Sequence, residues 1–341
     1  MIGLRIGIDL GTSSVTAYVE GKGIVLSEPS VIACESDTGR TLAVGEAAYE
    51  MLGKSPDFIT LCRPLSYGTV SDFPMTEQML RFYIQKICGN KIFKPNVVVS
   101  VPSTLTSLEK RTLLDVVTAA GAGRACLIEE PLAAAIGSDI DLDEPRGTLV
   151  VDIGGETVDT AVITMGSIAV SNCVRMGGRF IDDAIIRFLR RERDVIIGQL
   201  TAEQIKKQIG CAVLRDEEVA MIAGGKSYLT GMPINFEINS TEFYFAVLDC
   251  LKIIVGAVRS VLEVTPPELM SDIYDNGILL TGAGALIYGA AELLERETGI
   301  PSRVAADAAG CAAKGTGMAL ANIKYLMQNG YLFKSGEDLR I

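Results

Sequence analysis

Three short stretches place small and carboxylate-bearing residues where an apolar, β-prone run gives way to a turn. They are Asp9-Leu10-Gly11-Thr12-Ser13-Ser14, Asp152-Ile153-Gly154-Gly155-Glu156-Thr157 and Thr281-Gly282-Ala283-Gly284-Ala285. Small residues in such a turn leave backbone N–H groups exposed and able to converge on phosphate oxygens. An aspartate at the strand end, Asp9 or Asp152, suits a hydrated Mg²⁺ bridging phosphates. One such turn alone is no more than an ordinary hairpin, but three of them, two built alike, favour a phosphate cradle. Neither G-x-x-x-x-G-K-[ST] nor a helix-opening G-x-G-x-x-G is present, so the cradle is not a P-loop or a dinucleotide fingerprint. Glu156 is the odd residue: a carboxylate in a loop suited to a polyanion, where it restricts the backbone freedom of glycine. Its side chain has three outlets, namely solvent, a pair with Arg179, or the metal.

Other carboxylates extend the set. Glu129-Glu130 precede Pro131 at a proline-started helix. Glu130 is read either as an acidic first turn favoured by the helix dipole or as the group that orients water against a terminal phosphate. In Ala202-Glu203-Gln204-Ile205-Lys206, Glu203 and Lys206 share a helix face, as a solvated pair or as a nucleoside contact. The chain has no histidine, which excludes Ser-His-Asp and Cys-His catalysis and histidine-ligated zinc. A net charge of −11 over 341 residues argues against nucleic acid as a partner, because phosphate contacts need clustered Lys and Arg. The eight cysteines are dispersed without a C-x-x-C pair and read as buried thiols. No apolar run reaches membrane-spanning length and no leader pattern opens the chain, so the expected location is the cytoplasm.

The elements that must position these residues are legible. Leu4 to Asp9 and Val15 to Val19 form a hairpin pattern; Val150 to Gly154 and Thr157 to Val162 repeat it. This internal duplication implies two similar halves with a cleft where the two loops meet. Val97 to Val101 reads as a strand buried on both faces, as does Gly277 to Thr281. Helices are expected over Leu108 to Ala120, Thr241 to Val264 and Ala290 to Glu297, with a returning helix in 310–330. The fold class is α/β, with two duplicated domains. Residues 1–143 with 310–341 form the first, carrying an inserted subdomain at about 31–76; residues 144–309 form the second, with an insertion at about 190–240.

The segments IGIDLGTSS, EGKGIVLSEPSV, VPSTLTSLEKR, LIEEPLAAAIG, VVDIGG, TAEQIKKQIG, TPPELMSDI, GILLTGAGAL and AAKGTG together resemble the actin, heat-shock-chaperone and sugar-kinase ATPase superfamily. Within it the chain is similar to the MreB-type bacterial actins over nearly its whole length. That resemblance implies ATP and Mg²⁺ as ligands. Asp9, Gly11, Thr12 and Ser13 would form the first phosphate loop, and Asp152, Gly154, Gly155 and Thr157 the second, with Glu156 and Gly178 beside them. Glu130 would orient water. Gly282, Gly284 and Ala285 would lie beside the adenosine, with Glu203 and Lys206 on its other side. It also implies self-assembly into paired protofilaments at the inner face of the cell membrane, cell-wall synthesis proteins as partners, and a slow Mg-dependent ATPase coupled to polymerisation. Relatives usually carry glycine at the position of Glu156, glutamate at that of Asp159 and acidic residues at those of Arg179 and Phe180, which puts the rate of hydrolysis in question. The alternatives are a nucleotide-binding scaffold with impaired hydrolysis and, from another class, a small-molecule kinase of the same superfold. Lys91-Ile92-Phe93-Lys94-Pro95 matches in position a short apolar loop that some relatives insert in lipid. Its alternative is a surface loop that folds Phe93 back onto the core.

Overall fold

The structure, a computed structural model, describes residues 3–89, 93–142 and 144–321. Its frame is a pair of five-stranded sheets. The first runs Gly23–Pro29, Ser14–Val19, Arg5–Leu10, Asn96–Val101, Arg124–Glu129 in spatial order. The second runs Ser167–Val174, Val158–Thr164, Thr148–Ile153, Ile278–Thr281, Ser302–Val304. The pairing matches strand for strand: two antiparallel neighbours on one side of the central strand and two parallel ones on the other. The duplication read from two hairpins therefore extends to a whole sheet. The third strand of each half carried no clear signal. Ser167–Val174 is mostly half-buried and Gly23–Pro29 mostly exposed or half-buried, which blurs the two-residue alternation.

Continuous apolar runs became central strands for a physical reason. On Asn96–Val101, Val98 faces one hydrophobic core while Val97 and Val99 face another. Both faces are dry at its centre, so Val97, Val98 and Val99 are all apolar. The helices Phe73–Cys88 and Ser107–Ala119 cover the outer side of the first sheet; Asp72 and Thr106 cap their N-termini with side-chain oxygens. The long helix Ser240–Glu263 opens with a capping box from Asn239 and Glu242 and buries its apolar stripe against the second sheet. The expected insertions contain small three-stranded sheets. One is formed by Thr41–Val44, Ile32–Glu35 and Ile59–Cys62, the other by Val195–Ile196, Ala220–Ser227 and Pro233–Asn239.

Two helices join the halves. Glu130–Gly137 packs on strands of both sheets, and Cys311–Ala321 returns to lie across it and the first sheet. Their crossing is lined by Ala133, Gly137 and Gly315, and a β-carbon on Gly315 would collide with the Ala133 carbonyl. Backbones this close admit no larger residue. Replacing Gly315 by leucine should cost about 3 kcal/mol, through overpacking at a site where the obstacle is main chain. Urea unfolding checks this; an unchanged midpoint would show that the two helices do not meet this closely.

Candidate functional site

The strand ends of the two sheets meet at one cavity of about 580 Å³. Asp9 and Asp152 are each the penultimate residue of the central strand of their sheet. Each is held by a hydroxyl from the register partner on the adjacent parallel strand. Ser100 Oγ donates to Asp9 Oδ1 at 2.7 Å, and Thr281 Oγ1 donates to Asp152 Oδ2 at 2.6 Å. The duplication thus includes the groups that orient the carboxylates. Ser100 and Thr281 were missed from sequence, although each ends an apolar run and is the first polar residue of that run.

The loops are braced. Ser30 donates its backbone N–H to the Ser13 carbonyl at 2.9 Å and its hydroxyl to the Gly11 carbonyl at 2.5 Å. The helix Gly178–Glu192 starts on the second loop, with the N–H groups of Gly178 and Arg179 donating to the carbonyls of Gly154 and Gly155 at 3.0 and 2.8 Å. The two loops face each other at close range: a β-carbon on Gly155 would lie 3.2 Å from Thr12 Oγ1 and closer still to the Ser13 side chain. Glycine there is required by space.

Of the residues expected from sequence, Asp9, Gly11, Thr12, Ser13, Glu130, Asp152, Gly154, Gly155, Thr157, Gly178, Glu203, Lys206, Gly282 and Gly284 all line this cavity. Two do not. Ala285 is buried in the short helical turn Ala283–Leu286 and Ala283 lines the cavity instead. Glu156 turns away: its carboxylate pairs with Arg179 and accepts the Tyr67 N–H at 2.8 Å. Of the three outlets open to it, the pair with Arg179 is the one taken. Glu203 and Lys206 share the helix face as expected but not an ion pair with each other. Lys206 Nζ binds Asp182 Oδ2 at 2.8 Å and the Gly178 carbonyl at 2.9 Å, while Glu203 pairs with Lys207 at 2.8 Å and accepts the Tyr49 hydroxyl. Arg215 and Tyr288 also line the cavity, the guanidinium 4.1 Å from the ring centroid. No local pattern joins residues that far apart in the chain, so this platform was missed. Ile92 lies outside the described residues; Phe93 is 60% exposed and is not folded back onto the core.

Burial dominates the electrostatics. It raises the Asp9 carboxyl to about 6 against the hydrogen bond from Ser100, and the Asp152 carboxyl to about 7 against that from Thr281, with Asp9 and Asp159 adding repulsion. Glu130 is pushed well above the usual carboxylate range by burial, then by the charges of Asp152, Asp9 and Asp159. Asp159 rises to about 6 through burial although Ser103 donates both its N–H and its hydroxyl to it at 2.6 Å. Such a set accommodates a cation or protons. Among the described residues no group of three or more carboxylates or thiols is placed to hold a metal ion.

The profile of the MreB/Mbl protein family matches residues 3–328. The chain belongs to the MreB/Mbl family. It is 41% identical over 329 residues to the cell shape-determining protein Mbl of Bacillus subtilis (strain 168), covering 96% of this chain and 98% of that one. It is 43% identical over 334 residues to the cell shape-determining protein MreB of Escherichia coli (strain K12), covering 96% of each. In structure it is similar to MreB5 of Spiroplasma citri bound to ADP, with a TM-score of 0.91 and 36% identity over 96% of this chain and 99% of that one. The MamK double helical filament aligns with a TM-score of 0.80 at 20% identity, over 94% of this chain and 98% of that one, a likeness of fold alone. The α/β architecture is that of the actin-like ATPases.

The carboxyl shifts have a direct consequence for MreB-type chemistry. Asp9, Asp152 and Asp159 ionise near 3.8 when unperturbed and at about 6 to 7 in the fold. Between those values the folded state holds more protons than the unfolded one, so stability present below the lower value is lost as pH rises through the upper. In EDTA and without nucleotide, the thermal midpoint should be higher at about pH 5.5 than at about pH 8. Asp152→Asn should flatten that slope and stabilise the ligand-free protein at the higher pH by on the order of 1–3 kcal/mol. A midpoint that rises with pH across this window, in wild type and variant alike, would contradict the assignment.

Proposed function

We propose that this protein is a cytoskeletal ATP-binding protein that polymerises into membrane-associated filaments guiding cell shape and cell-wall synthesis. The observation that carries the nucleotide part is the pair of strand-end aspartates, each oriented by a hydroxyl and set between two glycine loops that face each other across one cavity. Backbone amides of Gly11, Thr12 and Gly155, with the hydroxyls of Ser13 and Thr157, would take the phosphates, while the Gly154 N–H closes the second loop on the Thr157 carbonyl at 2.9 Å. Asp9 and Asp152 would hold hydrated Mg²⁺, which neutralises phosphate charge. Glu130 would orient water. The adenosine would sit between Gly282, Gly284 and the helix of Glu203 and Lys206, with the Arg215–Tyr288 platform at the same end of the cavity. In this reading catalysis is positioning and electrostatics, since water is the nucleophile, ADP the leaving group, and no protein nucleophile is needed.

The family supports self-association: its members named above are cell shape-determining proteins. Paired protofilaments, the cytoplasmic location, the inner membrane surface and the cell-wall synthesis machinery belong to the same proposal. With Mg-ATP above a critical concentration the protein should sediment and form filaments visible by negative-stain microscopy, and Asp152→Ala should weaken Mg-ATP stabilisation by about tenfold or more in apparent affinity. Monomers only, with nucleotide and with lipid, would contradict the cytoskeletal reading; a soluble kinase would behave so.

A second reading, a scaffold that hydrolyses slowly, rests on Glu156, whose side chain leaves the second loop less backbone freedom than glycine allows. Lipid contact is proposed at Ile92 and Phe93, flanked by Lys91 and Lys94. Exposed Phe93 suits shallow insertion, and one loop gains stable binding only through polymer avidity. Ile92→Asp with Phe93→Asp should abolish liposome co-sedimentation and leave Mg-ATP binding unchanged. Equal pelleting of variant and wild type would place the contact elsewhere.

A further inference from the structure

Glu156 is nine-tenths buried in the second glycine loop, yet it spends its two carboxylate oxygens outside the cavity. Oε1 pairs with Arg179 on the helix that starts at that loop. Oε2 accepts the backbone N–H of Tyr67 at 2.8 Å, and Tyr67 belongs to the other half. It sits in the turn between Leu65–Ser66 and Thr69–Val70, with φ 50° at Tyr67 and 72° at Gly68. A left-handed pair is the geometry of a tight hairpin turn, which a bulky residue adopts uncommonly. The second half contacts this turn. The Tyr67 ring stacks on Phe180 with centroids 6.3 Å apart, and the Arg175 guanidinium lies 4.6 Å from the ring centroid. The turn is therefore gripped at its amide by Glu156 and at its ring by Phe180 and Arg175. Gly68, the next residue, lines the cavity together with Pro102, and a β-carbon there would run into the Pro102 ring. Beside it, Ser103 of the first half donates twice to Asp159 of the second.

We propose that Glu156 is a positioning residue that clasps the two halves through Tyr67 and thereby controls exchange of the bound nucleotide. It rests on the nucleotide reading above. A nucleotide held between the halves would leave as they separate, and separation would break the hydrogen bond from the Tyr67 N–H to Glu156 Oε2 and unstack the Tyr67 ring. Arg179 keeps the carboxylate aimed at the turn and offsets its charge beside the phosphate loop.

Two measurements on wild type, Glu156→Gly, Glu156→Gln and Arg179→Ala test this. The first is hydrogen exchange of the Tyr67 amide in nucleotide-free protein; the second is dissociation of a fluorescent N-methylanthraniloyl-ADP with Mg²⁺. A charge-assisted bond of this kind predicts about tenfold or greater loss of Tyr67 protection in Glu156→Gly and a matching rise in the release rate. Glu156→Gln retains an acceptor for the amide but not the ion pair, so it should fall between glycine and wild type. Arg179→Ala should loosen the turn in the same direction. Equal Tyr67 exchange in wild type and Glu156→Gly overturns the clasp, and lost protection with unchanged release overturns its control of exchange. Should wild type fail to bind the fluorescent ADP, the nucleotide reading falls along with the exchange claim, while the amide measurement still decides whether Glu156 ties the halves.

Discussion

Asp152 and Asp159 are buried and Asp9 and Glu130 half-buried where the two sheets converge, and desolvation there raises all four carboxyls, favouring protons or a cation beside them. That constraint organises the site. Two strands from equivalent places in the two sheets deliver Asp9 and Asp152 from opposite sides, and the adjacent parallel strands deliver the hydroxyls that aim them. Glu130 starts the helix that touches both sheets, so its carboxylate is placed by the same element that joins the halves. A charged wall of this kind is costly to the empty protein and favourable to a polyphosphate carrying Mg²⁺, which is how a cleft acquires a preference for a metal–nucleotide pair.

The same duplication that builds the pocket leaves it divisible. The halves are joined permanently by the crossing of Glu130–Gly137 with Cys311–Ala321, and additionally by side-chain contacts around the cleft: Tyr49 with Glu203, Ser103 with Asp159 and Tyr67 with Glu156. The helix crossing is main chain against main chain, whereas the contacts around the cleft are made by single side chains. Glu203 is half-buried, and although desolvation opposes it, its carboxyl is held below the usual range by its bonds from Lys207 and Tyr49 and the nearby lysine charges. It therefore remains an anion available to bridge the halves over the physiological range.

Much of this was legible because the informative residues are local. The paired loops at Asp9 and Asp152, the dry strands at 97–101 and 278–281, and the proline-started helix at Glu130 each declare themselves within ten residues, through periodicity, glycine and proline. The resemblance to MreB-type actins rests on the same segments. What escaped is what depends on long-range packing. Strand Ser167–Val174 is half-buried and alternates weakly. The hydroxyl partners Ser100 and Thr281 are chosen by strand register, the Arg215–Tyr288 platform by the meeting of two loops, and the direction of Glu156 by a turn in the opposite half. Ala285 is buried in a short helical turn, and Ala283, two residues earlier, lines the cavity.

The central claim is that the buried carboxyl cluster is there to receive a metal-bound polyphosphate. Titration calorimetry of Mg-ATP at about pH 7, in two buffers of different ionisation enthalpy, measures it directly. Binding should release on the order of one proton as carboxyls held partly protonated by burial become ionised beside the cation, and Asp152→Asn should reduce that release. Binding with no proton exchange, or no binding of Mg-ATP at all, would contradict the account.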